Sequence, residues 1–581
     1  MPVAAASRTN GVPNSQQRLT VTSRMAAQLA ARADRRDEML FLLAVAGFLF
    51  YAALFIARTS FVVEGERYFS LFDDAMVSMR YGKNLAQGFG LVWNPGGERV
   101  EGYTNLLWVL YMSLIHLLPI APSKTSLFVQ MTAAAFLALN LYYVRAIALA
   151  VSGGSRLIAW GAVALTATYL PINNWSLQGM EVSVLVLLTT ICTWLAIRGM
   201  ETGAFQRWLY PVLGVATLVR PDMVVLFLAF HSFMLLTDPV HRRKHALWGL
   251  VILTGAVAAQ TTFRIWYYEE LLPNTYYLKM TGVPLTVRLS RGLYVLLQFV
   301  WKANPLLFVL TLTLAFRKDK RIWLLFWTLA AQMAYSIYVG GDAWEYWGGS
   351  NRYFCIAMPG FFVLLSYALH LVTSALIEVV QADHPITLRG LRRASVWTFA
   401  ASLVYAVVSL NSIHGMDALA EAALVRPVLH AGPGNGNQRD VRQALLLRRA
   451  TMPDATVAVM RAGTIPYFAD RSSVDLLGKN DRVVAHLPAS ASEGPIRFTD
   501  FRPGHMKFDF AHSIGRLQPD VILQLRRRTE LAKPFLQGDY KDVLLEGGCM
   551  FVRRDSPRVR WDRLPPHGCD EEAGLDDIGI D

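Results

Sequence analysis

Charge is scarce in this chain. Only 17% of its 581 residues are Asp, Glu, Lys or Arg, against 54% that are apolar, and the mean hydropathy is +0.32. A soluble domain carries about 25% charged residues, so the composition points instead to a multi-pass membrane protein. Cysteine is rarer still, with four residues and no metal-ligating spacing. Cys192 and Cys355 fall in or beside apolar runs, whereas Cys549 and Cys569 fall in a polar C-terminal region and can pair if it is oxidised. Nucleotide signatures are missing: there is no Walker loop, no GxGxxG after a strand, no HExxH and no Ser-His-Asp order. That argues against a cytoplasmic nucleotide-sugar enzyme. No internal repeat is present. The formal charge of +13 does not indicate nucleic acid, because the basic residues lie in short clusters between apolar runs, as cytoplasmic loops do.

What the chain has in abundance is apolar runs: 39–57, 105–120, 126–150, 157–170, 181–198, 209–219, 223–236, 246–266, 293–316, 321–339, 354–378 and 395–411. Basic clusters orient them: Arg32, Arg35 and Arg36; Arg198 and Arg207; residues 241–245; residues 317–321; and Arg389, Arg392 and Arg393. Placing these in the cytoplasm leaves segments 58–104, 171–180, 267–292 and 340–353 outside, with everything after 411. One run between 105 and 198 must then fail to cross, and 105–120, which ends against Pro119 and Pro122, is the candidate. The expectation is about eleven α-helical spans, N-terminus inside and C-terminus outside.

Residues 1–38, rich in Ala, Ser and Arg, read as a disordered cytoplasmic tail, and 39–411 as the transmembrane catalytic domain. Residues 412–569 read as an exoplasmic α/β domain: TVAVM, VILQL and DVLLEGGCMFVRR alternate like strands, Asp440–Arg449 reads as helix, AGPGNGN at 431–437 as a turn, and the EGG at 546–548 as a hairpin turn. The acidic residues 570–581 form an unfolded tail.

The chemistry gathers in the outside segments. Asp73 and Asp74 open a short amphipathic helix just beyond the first span, with Asp73, Val77, Arg80 and Asn84 on one face. Two adjacent carboxylates beside a bilayer are costly to desolvate and mark a site. The competing reading makes Asp74 an N-cap and Asp73 a charge favoured by the helix dipole. Downstream lie Asn94 to Arg99 and Glu101 to Asn105, dense in turns and charge. Lys279, in a Tyr-rich loop after Pro273-Asn274, suits either a lipid phosphate or snorkelling to the interface. The loop from Gly340 to Phe354 combines Asp342, Glu345 and Arg352 with Trp and Tyr rings, Trp344 among them; Arg352 suits a phosphate and the rings suit a sugar face. Glu181 adds a carboxylate at the start of a span.

In their order these motifs resemble the GT-C glycosyltransferases, and most of all the terminal arabinofuranosyltransferases of mycobacterial arabinan and their proteobacterial relatives. The likeness runs through Asp73-Asp74 with Arg80 and Asn84-Leu85, Asn94 with Gly97 to Glu101 and Thr104, Gly179-Met180-Glu181, Arg220-Pro221-Asp222, Pro273 with Lys279, and Gly340-Gly341-Asp342 with Arg352. The segment AGTIPYFADRSSVDLLGKNDR also looks like one found in bacterial relatives. The basic N-terminal and acidic C-terminal tails do not help to assign an acceptor. The resemblance implies a transferase of the bacterial inner membrane. It would move a sugar, such as arabinofuranose, from a polyprenyl-phosphate donor to a cell-envelope glycan or protein on the exoplasmic face, with inversion. Asp73 would be the general base, with Asp74 orienting it or sharing an optional divalent cation, Mg or Mn. Arg80, Lys279 and Arg352 would bind the donor phosphate, and Glu101, Asn105, Glu181, Asp342, Trp344 and Glu345 the sugar or acceptor. The other reading kept open is a flippase or transporter of lipid-linked sugar. That activity needs charges in mid-span, whereas Arg145, Arg220, Asp222, Arg264 and Lys302 lie mostly near span ends.

Overall fold

A helix runs unbroken from Ser15 to Thr59 in the computed structural model, which describes residues 15–345, 351–383, 387–412, 436–489, 496–525, 528–545 and 548–569. The expected disordered tail is therefore helical from Ser15 onward. The reason lies in composition: Ala, Arg, Gln, Leu and Met are strong helix formers, and no Gly or Pro interrupts residues 15–46. The acidic tail 570–581, the turn at 431–435 and the first two residues of the EGG lie outside the described residues.

Among the described residues, seven helices are long and apolar enough to cross a bilayer: Asp34–Thr59, Pro122–Val151, Val182–Thr202, Arg242–Tyr268, Lys320–Val339, Met358–Gln381 and Arg393–Asn411. An eighth apolar passage, Leu285–Lys302 with Pro305–Phe316, bends by 94° at its break. The break is at Asn304-Pro305, where the proline removes a backbone donor and disfavours helix in the residue before it. The multi-pass helical architecture is as expected; the count of full-length spans is lower than eleven because several runs make short helices. The run 105–120 forms Leu106–His116, 11 residues, about 16 Å at 1.5 Å per residue, well short of a core of roughly 30 Å. Arg156–Thr168, Leu209–Val219 and Pro221–Thr237 are also short.

From Ala52 on, the chain packs as one unit, membrane helices and C-terminal sheet together. A small hairpin, β1 (Phe61–Val63) with β2 (Glu66–Tyr68), precedes the helix Asp73–Ala86. The C-terminal sheet has five strands, β3 (Thr456–Val459), β4 (Ser472–Asp475), β5 (Val521–Leu523), β6 (Tyr540–Leu545) and β7 (Gly548–Arg553), in the order β4-β3-β5-β7-β6. β3 is parallel to both β4 and β5, and β7 is antiparallel to β5 and β6. Alternation along the strands builds two cores. Val457, Val459, Val521, Leu523, Met550 and Val552 join a core with Leu71, Phe72 and Met76 of the first loop and its helix. Ala458, Ile522 and Leu476 face the other way, onto Phe510, Ile514, Ala532 and Leu536. One face of the sheet is thus packed onto the loop that carries the acidic pair.

This packing decides where the loops go. β3 and β4 pair in register from Thr456↔Ser472 to Val459↔Asp475, so their carboxyl ends stand side by side. Parallel sheets present their following loops at such ends. Here the loop after β3 carries Gly463 and Thr464, and the loop after β4 carries Lys479. A disulfide joins Cys549 to Cys569, tying the last described residue to β7. Cys192 and Cys355 are free and buried.

Candidate active site

The helix Asp73–Ala86 starts at Asp73; its N-cap is Phe72, and no side chain caps it. Neither aspartate is therefore the N-cap. Both stand in the first turn, where the helix dipole favours anions, and both are half-buried. Their partners differ. Asp73 Oδ1 accepts the Thr464 N–H at 2.8 Å and the Gly463 N–H at 3.2 Å, and Oδ2 accepts the Gly463 N–H at 3.2 Å. A Cβ at position 463 would stand 1.9 Å from the Asp73 carbonyl oxygen, so only glycine allows this approach.

Asp74 instead faces cations. Lys479 Nζ donates to its Oδ1, and Arg352 Nη1 to its Oδ2 at 3.2 Å. Burial works against charge on Asp74, yet Lys479, Arg352 and Lys279 together hold its carboxyl well below the usual carboxylate range. Arg352 also grips Asp342 through Nε at 2.7 Å and Nη2 at 3.0 Å, a bidentate pair that fixes its plane. The guanidinium stacks over Trp175 at 4.7 Å. Both Arg352 and Asp342 are buried.

Lys279 completes the cluster. Its Nζ makes no hydrogen bond or ion pair among the described residues, and its stem lies against Gly504. Burial, then repulsion from Arg352, brings the ammonium down to about 8. Three cations, Lys279, Arg352 and Lys479, thus stand around two carboxylates, Asp74 and Asp342, with the Asp73 carboxylate beside them on backbone amides. An aromatic wall adjoins them. Phe72 makes edge contacts with Trp175 at 5.2 Å and Trp344 at 5.1 Å, and Trp344 meets His505 at 5.7 Å. Burial pushes the His505 imidazole down to about 4, so it is neutral at neutral pH. Tyr346 and Trp347 of that loop lie outside the described residues.

The remaining sequence candidates are bound up elsewhere. Arg80, expected on the donor phosphate, is a clamp: it donates to the carbonyls of Trp93, Pro466 and Arg471 and to Asn94 Oδ1, joining the first loop to the C-terminal domain. Glu101 is paired with Arg264. Glu181 is buried, bonded to Arg220 at 2.6 Å and to Asn105 Nδ2 at 2.8 Å, and Arg220 in turn holds Asp222. Asn105 also accepts from Ser78. Glu345 turns inward, accepting from Asp342 N–H at 2.8 Å and Asn351 Nδ2 at 3.0 Å beside Arg291; burial pushes its carboxyl up to about 7. Of the candidates, the structure brings together Asp73, Asp74, Lys279, Asp342, Trp344 and Arg352, and assigns Arg80, Glu101, Asn105, Glu181 and Glu345 to bonds that fix the surrounding loops. Sequence reasoning missed Lys479, His505 and the Gly463–Thr464 amides. The signal for two of the three was present in the segment AGTIPYFADRSSVDLLGKNDR, which contains Gly463, Thr464 and Lys479.

A divalent cation on the acidic pair would compete with groups already bound there. One aspartate is occupied by backbone amides and the other is neutralised by two side-chain cations, which a metal would have to displace. Among the described residues no group of three or more His, Cys, Asp or Glu side chains is placed to hold a metal ion.

A family model described only as a domain of unknown function, DUF8728, matches residues 433–559. No curated protein matches the chain in sequence. Among solved structures, the chain is similar to ArnT from Cupriavidus metallidurans bound to undecaprenyl phosphate, with a TM-score of 0.53 at 12% identity over 88% of this chain and 97% of that one. It is also similar to the Archaeoglobus fulgidus oligosaccharyltransferase in its apo form, with a TM-score of 0.50 at 12% identity over 91% of this chain and 75% of that one. The chain shares its overall fold with these two structures. At these identities the likeness concerns architecture; what the site does rests on its own residues.

Proposed function

We propose that the chain is an integral-membrane glycosyltransferase that moves a sugar from a polyprenyl-phosphate donor to a cell-envelope glycan or glycoprotein. The observation that carries this reading is the meeting of an acidic pair with a lysine that has no bond among the described residues and a carboxylate-anchored arginine, in a fold shared with a structure that holds undecaprenyl phosphate. Three cations from separate segments beside an aromatic wall suit a lipid-linked phosphate carrying a sugar.

In this reading Asp73 takes the proton of the acceptor hydroxyl as that oxygen attacks the anomeric carbon. The bond from that carbon to the phosphate oxygen breaks, and polyprenyl phosphate leaves. Negative charge grows on the leaving phosphate, and Lys279 and Arg352 stabilise it most at that point. Asp73 Oδ1 is fixed by two amides, while Oδ2 has a single long bond of 3.2 Å and keeps a lone pair for the proton. Trp344 offers a ring to the sugar. A pentofuranose such as arabinofuranose is the donor sugar that the sequence resemblance favours. The site would face the periplasm of a bacterial inner membrane, and the Cys549–Cys569 disulfide supports an oxidising compartment for the C-terminal domain.

The decisive experiment is transfer of radiolabelled sugar from synthetic polyprenyl-phosphate donors to acceptor in proteoliposomes, together with identification of the lipid that co-purifies with the protein. Flipping of lipid-linked sugar with no product formed would replace this reading by the transporter one.

A further inference from the structure

The C-terminal domain places a lysine in the centre of the cluster, and both parts of the molecule frame the loop that carries it. Asp475, buried at the end of β4, accepts the Leu477 N–H at 3.0 Å, the Asn480 N–H at 2.9 Å and Asn480 Nδ2 at 2.8 Å. Gly478 makes the reversal with φ +79°. From the loop that bears Lys279, Asn274 Nδ2 donates to the carbonyls of Gly478 and Lys479 at 3.0 and 2.9 Å. The backbone at Lys479 is therefore held by the segment that presents Lys279. A lysine that merely balanced one carboxylate would not require this framing from both sides.

Arg352 meets Asp74 and Asp342 on different edges. Nε and Nη2 anchor Asp342, and Nη1 alone reaches Asp74. The Asp74 carboxylate thus bridges Nη1 of Arg352 and Nζ of Lys479 with one oxygen each. Two oxygens of a phosphate present the same pattern. The Asp342 anchor is untouched if the occupant of that corner changes.

Building on the phosphate reading, we propose that Lys479 is a third ligand of the donor phosphate, supplied by the domain of unknown function, and that Asp74 is its stand-in: the carboxylate holds Lys479 and Arg352 and yields them to the incoming lipid phosphate. The exchange also changes the acidic pair. Once its cations turn to the phosphate, Asp74 is an uncompensated charge beside Asp73, and neighbouring carboxylates raise one another's proton affinity. Donor binding then makes the pair a better base, so proton abstraction waits for the donor.

The test uses the purified full-length chain and undecaprenyl phosphate as probe, with affinity measured by titration calorimetry. Lys479→Met is expected to weaken binding by about ten- to a hundredfold, the loss of one charge-assisted contact, and Lys479→Arg to restore most of it. Asp74→Asn is expected to tighten binding, because it removes the competing carboxylate. The opposite signs are the diagnostic, since a purely structural pair would lose affinity in both variants. The double variant Asp74→Asn with Lys479→Met leaves neither charge unpaired, and is expected to bind at least about tenfold more weakly than Asp74→Asn alone. Wild-type affinity in Lys479→Met, or weaker binding in Asp74→Asn, overturns the proposal while Lys279→Ala still tests the phosphate site. If the wild-type chain does not bind the lipid, or Lys279→Ala leaves binding unchanged, the phosphate reading falls, and this inference with it.

Discussion

Lys479 donates to Asp74 across 405 positions of sequence, and Thr464 donates to the adjacent Asp73 across 391. One aspartate is thus tied to a side-chain ammonium and its neighbour to backbone amides, both from the C-terminal domain. The two carboxylates are chemically different although the sequence presents them as a pair.

Asp73→Asn separates chemistry from structure at this point. The amide oxygen still accepts the Thr464 N–H, so thermal stability is expected to stay near wild type. Transfer is expected to fall by about 10²–10⁴-fold, as on removing a general base. Asp73→Ala loses the bonds from Gly463 and Thr464 as well and should melt earlier. Turnover close to wild type in purified, folded Asp73→Asn rules out the base assignment.

The two cations from the membrane part are expected to respond differently. Lys279→Ala removes a side chain with no bond among the described residues, so it should lower donor use by about ten- to a hundredfold with little change in stability. Arg352→Ala strands the buried Asp342, and breaking such a pair costs about 3–5 kcal/mol. Measuring unfolding beside donor kinetics distinguishes them; a severe stability loss in Lys279→Ala contradicts a role confined to the donor.

Donor affinity should depend on pH through Lys279. Burial and Arg352 bring its ammonium to about 8. The charged form is the one that attracts phosphate, so donor KM should be flat below that value and rise above it. Lys279→Arg keeps its charge through this range and should abolish the rise. Profiles of donor KM from pH 6 to about 9.5 for both proteins check this; a rise that survives in Lys279→Arg belongs to another group.

Metal dependence is expected to be absent. Asp74 already has Lys479 and Arg352 as counter-ions, so EDTA treatment followed by gel filtration should leave transfer intact. Restoration of a lost rate by Mg²⁺ or Mn²⁺ would instead place a cation on the acidic pair.

The C-terminal domain should lie outside the cytoplasmic membrane. Ser472 is exposed, Cys192 and Cys355 are buried, and Cys549 is bonded to Cys569, so a Ser472→Cys variant has little competing background. An impermeant maleimide should label it in intact spheroplasts. Labelling only after lysis reverses the topology.

Hydropathy and the placement of basic residues are local properties. They are enough to dictate a multi-pass helical protein, a strand-bearing C-terminal region, and polar loops that hold the chemistry. Even the run at 105–120 stands out by the prolines that end it. Partner choice is not local. Arg80 and Arg352 look alike as loop arginines, yet one is spent on backbone carbonyls of the C-terminal domain and the other on Asp342 and Asp74. Glu181 and Asp342 likewise read as equivalent carboxylates, and only their neighbours, Arg220 for one and Arg352 for the other, set them apart. The in-register ends of β3 and β4 bring Gly463, Thr464 and Lys479 onto the acidic pair. Charges interact through space at a few ångströms, so the choice of which loop ions form a site is made only when the sheet packs against the first loop.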